Sequence, residues 1–364
     1  MISFEVPADS SCSRQFQPDN IVDGRYRIVR KLADGGMGTV FLAEHTLIKR
    51  RVAIKLLHAE LAEDCGMLDR FLNEASVAGT LDHPHIVESI DMGFTRENIP
   101  YIVFEYLEGC LLLEEIRRLG RLPVRRTLLI ARQVASALEA AHNAEIAHLD
   151  LKSDNVFLAS RGDVPDHAKV LDFGISRFMA FEVKNTQPDI LMGTPEFMAP
   201  EQVTTPDDAD CRTDIYALGV LLYEMLTGRC PFMNEDPRRV LQRIVYEAPP
   251  PLDRPVPVAL ERLLFCGLLV KSRDDRLQSM REVLTILDTL IAAMRSGIPD
   301  PIGLEDPNPE LAPPIWLAES SFDDAPNELQ GSLEAPWLVA PRPDDPTGKC
   351  SRGGSVGCGS RRVA

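Results

Sequence analysis

The chain of 364 residues carries a formal net charge of −16 and a sequence pI of about 4.9, a balance that argues against general affinity for nucleic acid or anionic membrane. Hydrophobic residues at 45% and charged residues at 26% are ordinary for a globular chain able to bury a sizeable core. No stretch approaches the roughly 18 unbroken apolar residues of a membrane-spanning helix; the best candidate, Tyr216 to Leu226, is short and interrupted by Glu224.

The first residues, Met1-Ile-Ser-Phe-Glu-Val-Pro, lack the basic and apolar regions of a secretory signal. The eight cysteines form no Cys-x-x-Cys pair, which reads as reduced thiols and a cytoplasmic location. Residues 1–24 are polar and irregular and are expected to be an N-terminal extension. A strand is predicted from Tyr26 to Leu32 and another over Val40 to Ala43, with Ala33 to Thr39 as the hairpin turn. Val52-Ala53-Ile54-Lys55 opens a third strand. Leu68, Phe71, Leu72, Ala75 and Ala78 follow helical spacing, and Ile102 to Tyr106 reads as a further strand. Beyond it the chain turns helical: Ile130, Val134, Leu138 and Ala141 mark one amphipathic helix. Ile215 to Leu226 is apolar nearly all round and predicts a buried central helix, and Val283, Leu284, Leu287 and Ile291 mark a last one. Residues 295–364 shift to Pro, acidic residues, Gly and Ser, the composition of a disordered tail.

Four segments carry chemistry in a telling order. The turn Leu32-Ala33-Asp34-Gly35-Gly36-Met37-Gly38-Thr39-Val40 can bring backbone N–H groups close to phosphates, although a glycine turn alone is more often only a turn. Lys55 ends an apolar strand; alone it reads as a solvated edge residue, but after the glycine turn it can reach phosphates, with Glu74 on the following helix as its partner. In His148-Leu149-Asp150-Leu151-Lys152-Ser153-Asp154-Asn155, Asp150 can accept or orient a hydroxyl proton, Lys152 can steady a phosphate, and Asn155 offers a carbonyl oxygen to a metal ion. Val170-Leu171-Asp172-Phe173-Gly174 places a carboxylate at a strand end, suited to Mg²⁺. Together these are the parts that phosphoryl transfer needs.

With Ala199-Pro200-Glu201 following, the ordered set resembles the protein kinase family, over roughly Tyr26 to Leu290. The glycine turn and Gly193-Thr-Pro-Glu-Phe-Met-Ala-Pro-Glu-Gln202 look like the eukaryotic-type (Hanks-type) serine/threonine kinases of bacteria. The resemblance implies an α+β, bilobal protein kinase fold over residues 25–292, with a β-rich N-lobe of one helix (about 25–105) and a larger helical C-lobe (about 108–292). It implies ATP with Mg²⁺ or Mn²⁺, and protein substrates bearing Ser or Thr. Adenine is then expected between Val40 and Ala53 above and Phe157 below, bonded to the backbone of Glu105 and Leu107, with Phe104 as gatekeeper. Asp214 is expected beneath the catalytic loop, Glu201 paired with Arg276, and Thr194 against Asp150 and Lys152.

Three positions depart from the family pattern. Ala33 replaces a glycine and stiffens the loop. Leu149 stands where an arginine would gather an activation-loop phosphate, so activity is not expected to depend on a phosphate at Thr186, the natural autophosphorylation candidate. Ser153 replaces a proline, and Asp154 beside it is placed to favour basic substrate residues. The alternatives are a pseudokinase that only binds ATP or protein, and a small-molecule phosphotransferase; the Gly193 to Gln202 segment, shaped as a peptide platform, speaks against the latter. The tail is a linker or, through Trp316 and Trp337, a docking segment for a partner.

Overall fold

The computed structural model describes residues 16–62, 64–161, 164–173 and 195–296. The first lobe is a six-stranded antiparallel sheet in the order β1-β2-β3-β4-β6-β5. Its strands are β1 (Ile21–Val22), β2 (Tyr26–Asp34), β3 (Gly38–His45), β4 (Arg51–Leu57), β5 (Ser89–Phe94) and β6 (Pro100–Glu105). The short α1 (Ala59–Ala62) and the longer α2 (Cys65–Thr80) lie between β4 and β5. The sheet takes in β1, ahead of residue 25, and Phe16 before it packs on Phe41 with ring centroids 6.4 Å apart.

Period-2 geometry in β4 decides where its side chains go. Val52, Ile54 and Leu56 join Phe16, Ile28 and Tyr101 in an outer apolar cluster. Ala53 and Leu57 join the cluster formed with Phe71, Ala75 and Phe104, on the side of α2. Lys55 shares that second face, so the pleat that buries Ile54 also aims the Lys55 ammonium at α2. Asp64 caps α2, its carboxylate accepting from the N–H groups of Gly66 at 2.8 Å and Met67 at 3.3 Å.

The glycine hairpin is tighter than expected. Ladder pairing continues to Asp34 opposite Thr39, leaving only Gly35 to Met37 as the turn. Ala33 falls within β2, opposite Val40. Among the three glycines, Gly38 is the one that packing requires, since a Cβ there would collide with the Leu56 carbonyl oxygen.

The second lobe begins after β7 (Gly109–Leu111), which pairs with β8 (Val156–Arg161), itself paired with β9 (Val164–Val170). Its helices are α3 (Leu112–Leu119), α4 (Val124–Asn143), α5 (Pro200–Thr204), α6 (Cys211–Thr227), α7 (Pro237–Tyr246), α8 (Val258–Arg262) and α9 (Met280–Ser296). The central helix is α6, in which every residue from Thr213 to Leu226 is buried. Asp210 caps its start and Gly228, at φ +82°, ends it in the left-handed conformation. Among the described residues no helix is long and apolar enough to cross a membrane.

Candidate active site

Lys55 is where the two lobes meet. Its Nζ donates to both carboxylate oxygens of Glu74, at 2.7 and 2.9 Å, and to Asp172 Oδ1 at 3.1 Å. Lys55 and Glu74 are both buried. Burial works against the Lys55 charge, but Asp172 and Glu74 together hold its pKa above the ordinary value. Glu74 is pushed up by burial, and the like charge of Asp172 adds to the shift while Lys55 opposes it. For Asp172, loss of water disfavours the charge, yet Lys55 keeps the carboxyl below the usual carboxylate range. The ammonium thus holds two carboxylates from elements 19 and 117 residues away.

Beneath it lies the loop between α4 and β8. Lys152 Nζ donates to Asp150 Oδ2 at 2.8 Å. The Asn155 amide nitrogen donates to the Asp150 carbonyl at 2.8 Å and to Asp150 Oδ2 at 3.2 Å. The two acidic loops are joined by Leu171 N–H, which donates to the Asn155 carbonyl at 2.8 Å. His148 joins them again: Asp150 N–H donates to its Nδ1 at 3.2 Å, which makes Nε2 the protonated nitrogen that donates to Leu171 O at 3.0 Å. Its ring meets Phe173 edge-on at 4.6 Å. Asp214, fully buried at the start of α6, accepts from the N–H groups of His148 at 2.8 Å and Leu149 at 2.7 Å, and from His142. Leu149 at φ +60° and Asp172 at φ +53° hold left-handed backbone, a strain that persists only where surroundings over-determine it.

The remaining expected residues fall around this centre. Val40 pairs with Lys55 across the β3–β4 ladder, and Ala53 pairs with Phe104 across β4–β6. Phe157 lies in β8 opposite Leu111, and Leu107 packs on the apolar cluster of α2. The Glu105 carboxylate is engaged behind β6, by Lys169 Nζ at 2.5 Å and Glu88 N–H at 3.0 Å. Asp34 is tied within its hairpin, by Lys31 Nζ and Thr39 Oγ1, both at 2.6 Å. Glu201 and Arg276 form a buried two-bond pair at 2.9 and 3.0 Å, with Thr213 Oγ1 donating to Glu201 at 3.0 Å. Gly174, Thr186, Thr194, Trp316 and Trp337 lie outside the described residues.

The donors suit a hard divalent cation. The Asp172 carboxylate and the Asn155 amide oxygen offer oxygen atoms from adjoining loops, and Asn155 is oriented by the two bonds its nitrogen gives to Asp150.

Comparison with known proteins agrees with this geometry. The protein kinase domain family matches residues 26–284. This chain belongs to the protein kinase family. The kinase is 36% identical over 306 residues to the serine/threonine-protein kinase pkn2 of Myxococcus xanthus, a match covering 81% of this chain and 36% of pkn2. It is 34% identical over 300 residues to PknA of Mycobacterium tuberculosis, covering 81% of this chain and 67% of PknA. A crystal structure of the Mycobacterium tuberculosis PknI kinase domain matches with a TM-score of 0.59 at 29% identity, over 76% of this chain and 98% of that one. The kinase spans under two fifths of the length of pkn2 and of Pkn1 from the same organism, at 36% and 38%. These relatives place it in the Hanks-type bacterial branch, with the bilobal kinase fold. Protein kinases use ATP with a divalent metal ion.

Sequence reasoning passed over a group of carboxylates near the catalytic loop. Glu224 interrupts the apolar face of α6, and its Oε2 is buried without a hydrogen-bond partner among the described residues; the same holds for Glu196 Oε2 and Ser153 Oγ. Burial raises the Glu224 carboxyl to about 7; the nearby Ser153 hydroxyl opposes the shift, and the charges of Asp154 and Glu196 add to it. The sequence signal is the one carboxylate within Ile215 to Leu226, a run otherwise apolar nearly all round.

Proposed function

We propose that this kinase transfers the γ-phosphate of ATP to Ser and Thr hydroxyls of proteins, and that residues 25–292 are the domain that does so, with 295–364 as a tail. The observation that carries the reading is the Lys55 ammonium held by Glu74 and Asp172 at once. That arrangement fixes a cation at the mouth of two acidic loops, where phosphates can be gripped and aligned. Asp150 is the catalytic base: Lys152 and Asn155 hold its carboxylate, leaving it to accept or orient the acceptor proton. Lys152 is placed to neutralise charge on the transferred group. Val40, Ala53 and Phe157 are the adenine walls, and the backbone of Glu105 and Leu107 its hydrogen-bonding edge. Leu32, Ala33, Asp34, Gly35, Gly36, Met37 and Gly38 form the roof over the phosphates. Asn155 and Asp172 would hold Mg²⁺, or Mn²⁺ in its place. When bound, the metal neutralises the phosphate oxygens.

The acceptor side has its own chemistry. The charges of Asp154 and Glu196 reach Glu224, and Glu196 Oε2 and Glu224 Oε2 are buried without hydrogen-bond partners among the described residues. An uncompensated buried carboxylate is costly, and a guanidinium from the substrate would satisfy it. The proposed substrates are therefore proteins with arginine flanking the acceptor hydroxyl, in the cytoplasm.

Incubation with labelled ATP, Mg²⁺ and a generic protein acceptor tests the activity. Label is expected on protein with the wild type, and Asp150→Asn is expected to lose about 10²–10⁴-fold in turnover. Intact nucleotide binding with no transfer by the wild type would leave a binding module instead.

A further inference from the structure

Leu149 immediately precedes Asp150 and supplies no guanidinium, yet its peptide is held more firmly than that of a loop residue needs to be. Its N–H donates to Asp214 Oδ1 at 2.7 Å. Its carbonyl accepts from the side-chain amide of Gln202 at 2.9 Å. The next N–H, that of Asp150, donates to His148 Nδ1 at 3.2 Å. The peptide plane between Leu149 and Asp150 is therefore gripped on both sides, and the φ of +60° at Leu149 is kept in a conformation that a leucine rarely adopts.

Gln202 is itself oriented. Its Oε1 accepts from the Ala199 N–H at 2.9 Å, at the start of α5. Because that partner can only donate, the amide has one orientation, and Nε2 must face the Leu149 carbonyl. The helix that carries Gln202 is anchored by its neighbour Glu201, paired with the fully buried Arg276. A continuous chain of contacts thus runs from Arg276 through α5 to the backbone that carries Asp150.

We infer that Gln202 is a positioning residue for Asp150: its amide, locked by Ala199, holds the Leu149 carbonyl and so sets the direction of the catalytic carboxylate from the peptide-acceptor side. The contact is built from neutral groups and forms without any phosphate. In this chain it supplies the tie between the segment ending in Ala199-Pro200-Glu201 and the catalytic loop that Leu149 cannot supply through its side chain. This inference rests on the kinase reading for its consequence in turnover.

Two variants separate positioning from helix capping. Gln202→Glu keeps an oxygen for the Ala199 N–H but turns a second oxygen toward the Leu149 carbonyl, replacing attraction by repulsion. Gln202→Lys gives up the cap but keeps a donor within reach of the carbonyl. Positioning predicts that Q202E loses about tenfold or more in kcat while its KM for ATP stays within about twofold, and that Q202K keeps the greater kcat. Amide exchange across residues 148–151 should rise in Q202E and not in Q202K. The reverse order of the two variants, or both within about twofold of wild type in kcat, overturns the inference. Wild type that transfers no phosphate sinks the kinase reading alone, and amide exchange then decides the positioning claim; it also decides it where one variant does not fold.

Discussion

Lys55 grips Glu74 by both carboxylate oxygens, at 2.7 and 2.9 Å, with both residues buried. Glu74→Gln keeps the shape and one acceptor oxygen but removes the charge that balances the ammonium. The ammonium's charge is then balanced by Asp172 alone, and its reach toward phosphate is misdirected. A loss of about tenfold or more in kcat/KM for ATP is expected, equal to about 1.4 kcal/mol of transition-state stabilisation. Steady-state kinetics beside a thermal melt check it; unchanged kinetics would dismiss the pair's role in nucleotide alignment.

The Glu201–Arg276 pair lies remote from the chemistry and is expected to act on stability. Arg276 is fully buried, so Arg276→Ala leaves an uncompensated carboxylate in the interior. Breaking such a pair costs about 3–5 kcal/mol. A urea titration should show the midpoint fall accordingly, whereas Arg276→Ala together with Glu201→Ala should recover part of the loss.

Acid stability should depend on Glu115. Arg118 Nε and Arg126 Nη1 each donate to it at 2.7 Å. The Arg118 bond, with Arg126 behind it, lowers the Glu115 carboxyl from 4.5 to about 2. A carboxyl depressed by folding contributes stability that is fully present above its unfolded value of 4.5 and lost as the pH falls toward about 2. Glu115→Gln should therefore be less stable than wild type at neutral pH, with the two converging below pH 4.5. Denaturant midpoints measured across that range check it; a constant gap at every pH would contradict it.

Phosphorylation of Thr186 is expected to matter little. The residue before Asp150 is Leu149, which has no donor for a phosphate. A charge-assisted bond lost with that arginine would have contributed about 1.5–3 kcal/mol. Thr186→Ala should keep turnover within about threefold, and a loss of about a hundredfold would refute the independence.

Arginine preference is the readout for the carboxylates near the catalytic loop. On a peptide array, wild type should favour acceptors flanked by arginine over neutral counterparts. Glu224→Gln and Asp154→Asn should each narrow that preference by about tenfold or more, since a charge-assisted hydrogen bond contributes about 1.5–3 kcal/mol. An array showing no arginine bias in the wild type would remove the assignment.

Much of the centre was legible because its parts are short, contiguous and ordered. Lys55 with Glu74, Asp150 with Lys152 and Asn155, and Asp172 are side chains whose type and spacing already state a chemistry. Other parts were not legible for physical reasons. Glu224 shows in the sequence only as a break in an apolar run, and nothing local says that Asp154 and Glu196 face it. Gln202 sits in a recognisable segment, but its hold on Leu149 spans 53 residues and exists only in three dimensions. Strand β5 escaped notice because Ile90 turns inward while Met92 and Phe94 stay exposed, so no clear alternation forms. The glycines overstate the length of the hairpin turn, since Gly38 already belongs to β3 and is there to clear Leu56.

Phe16, ten residues ahead of Tyr26, is seated with Phe41 in the outer apolar cluster. Side chains of this kind contribute about 1.5–3 kcal/mol when withdrawn from water. A shortened recombinant version that began at the first obvious strand would discard that plug together with the edge pairing of Ile21 and Val22. It would expose a greasy dimple on the upper lobe, inviting self-association during purification. The sensible place to cut is therefore upstream of Phe16.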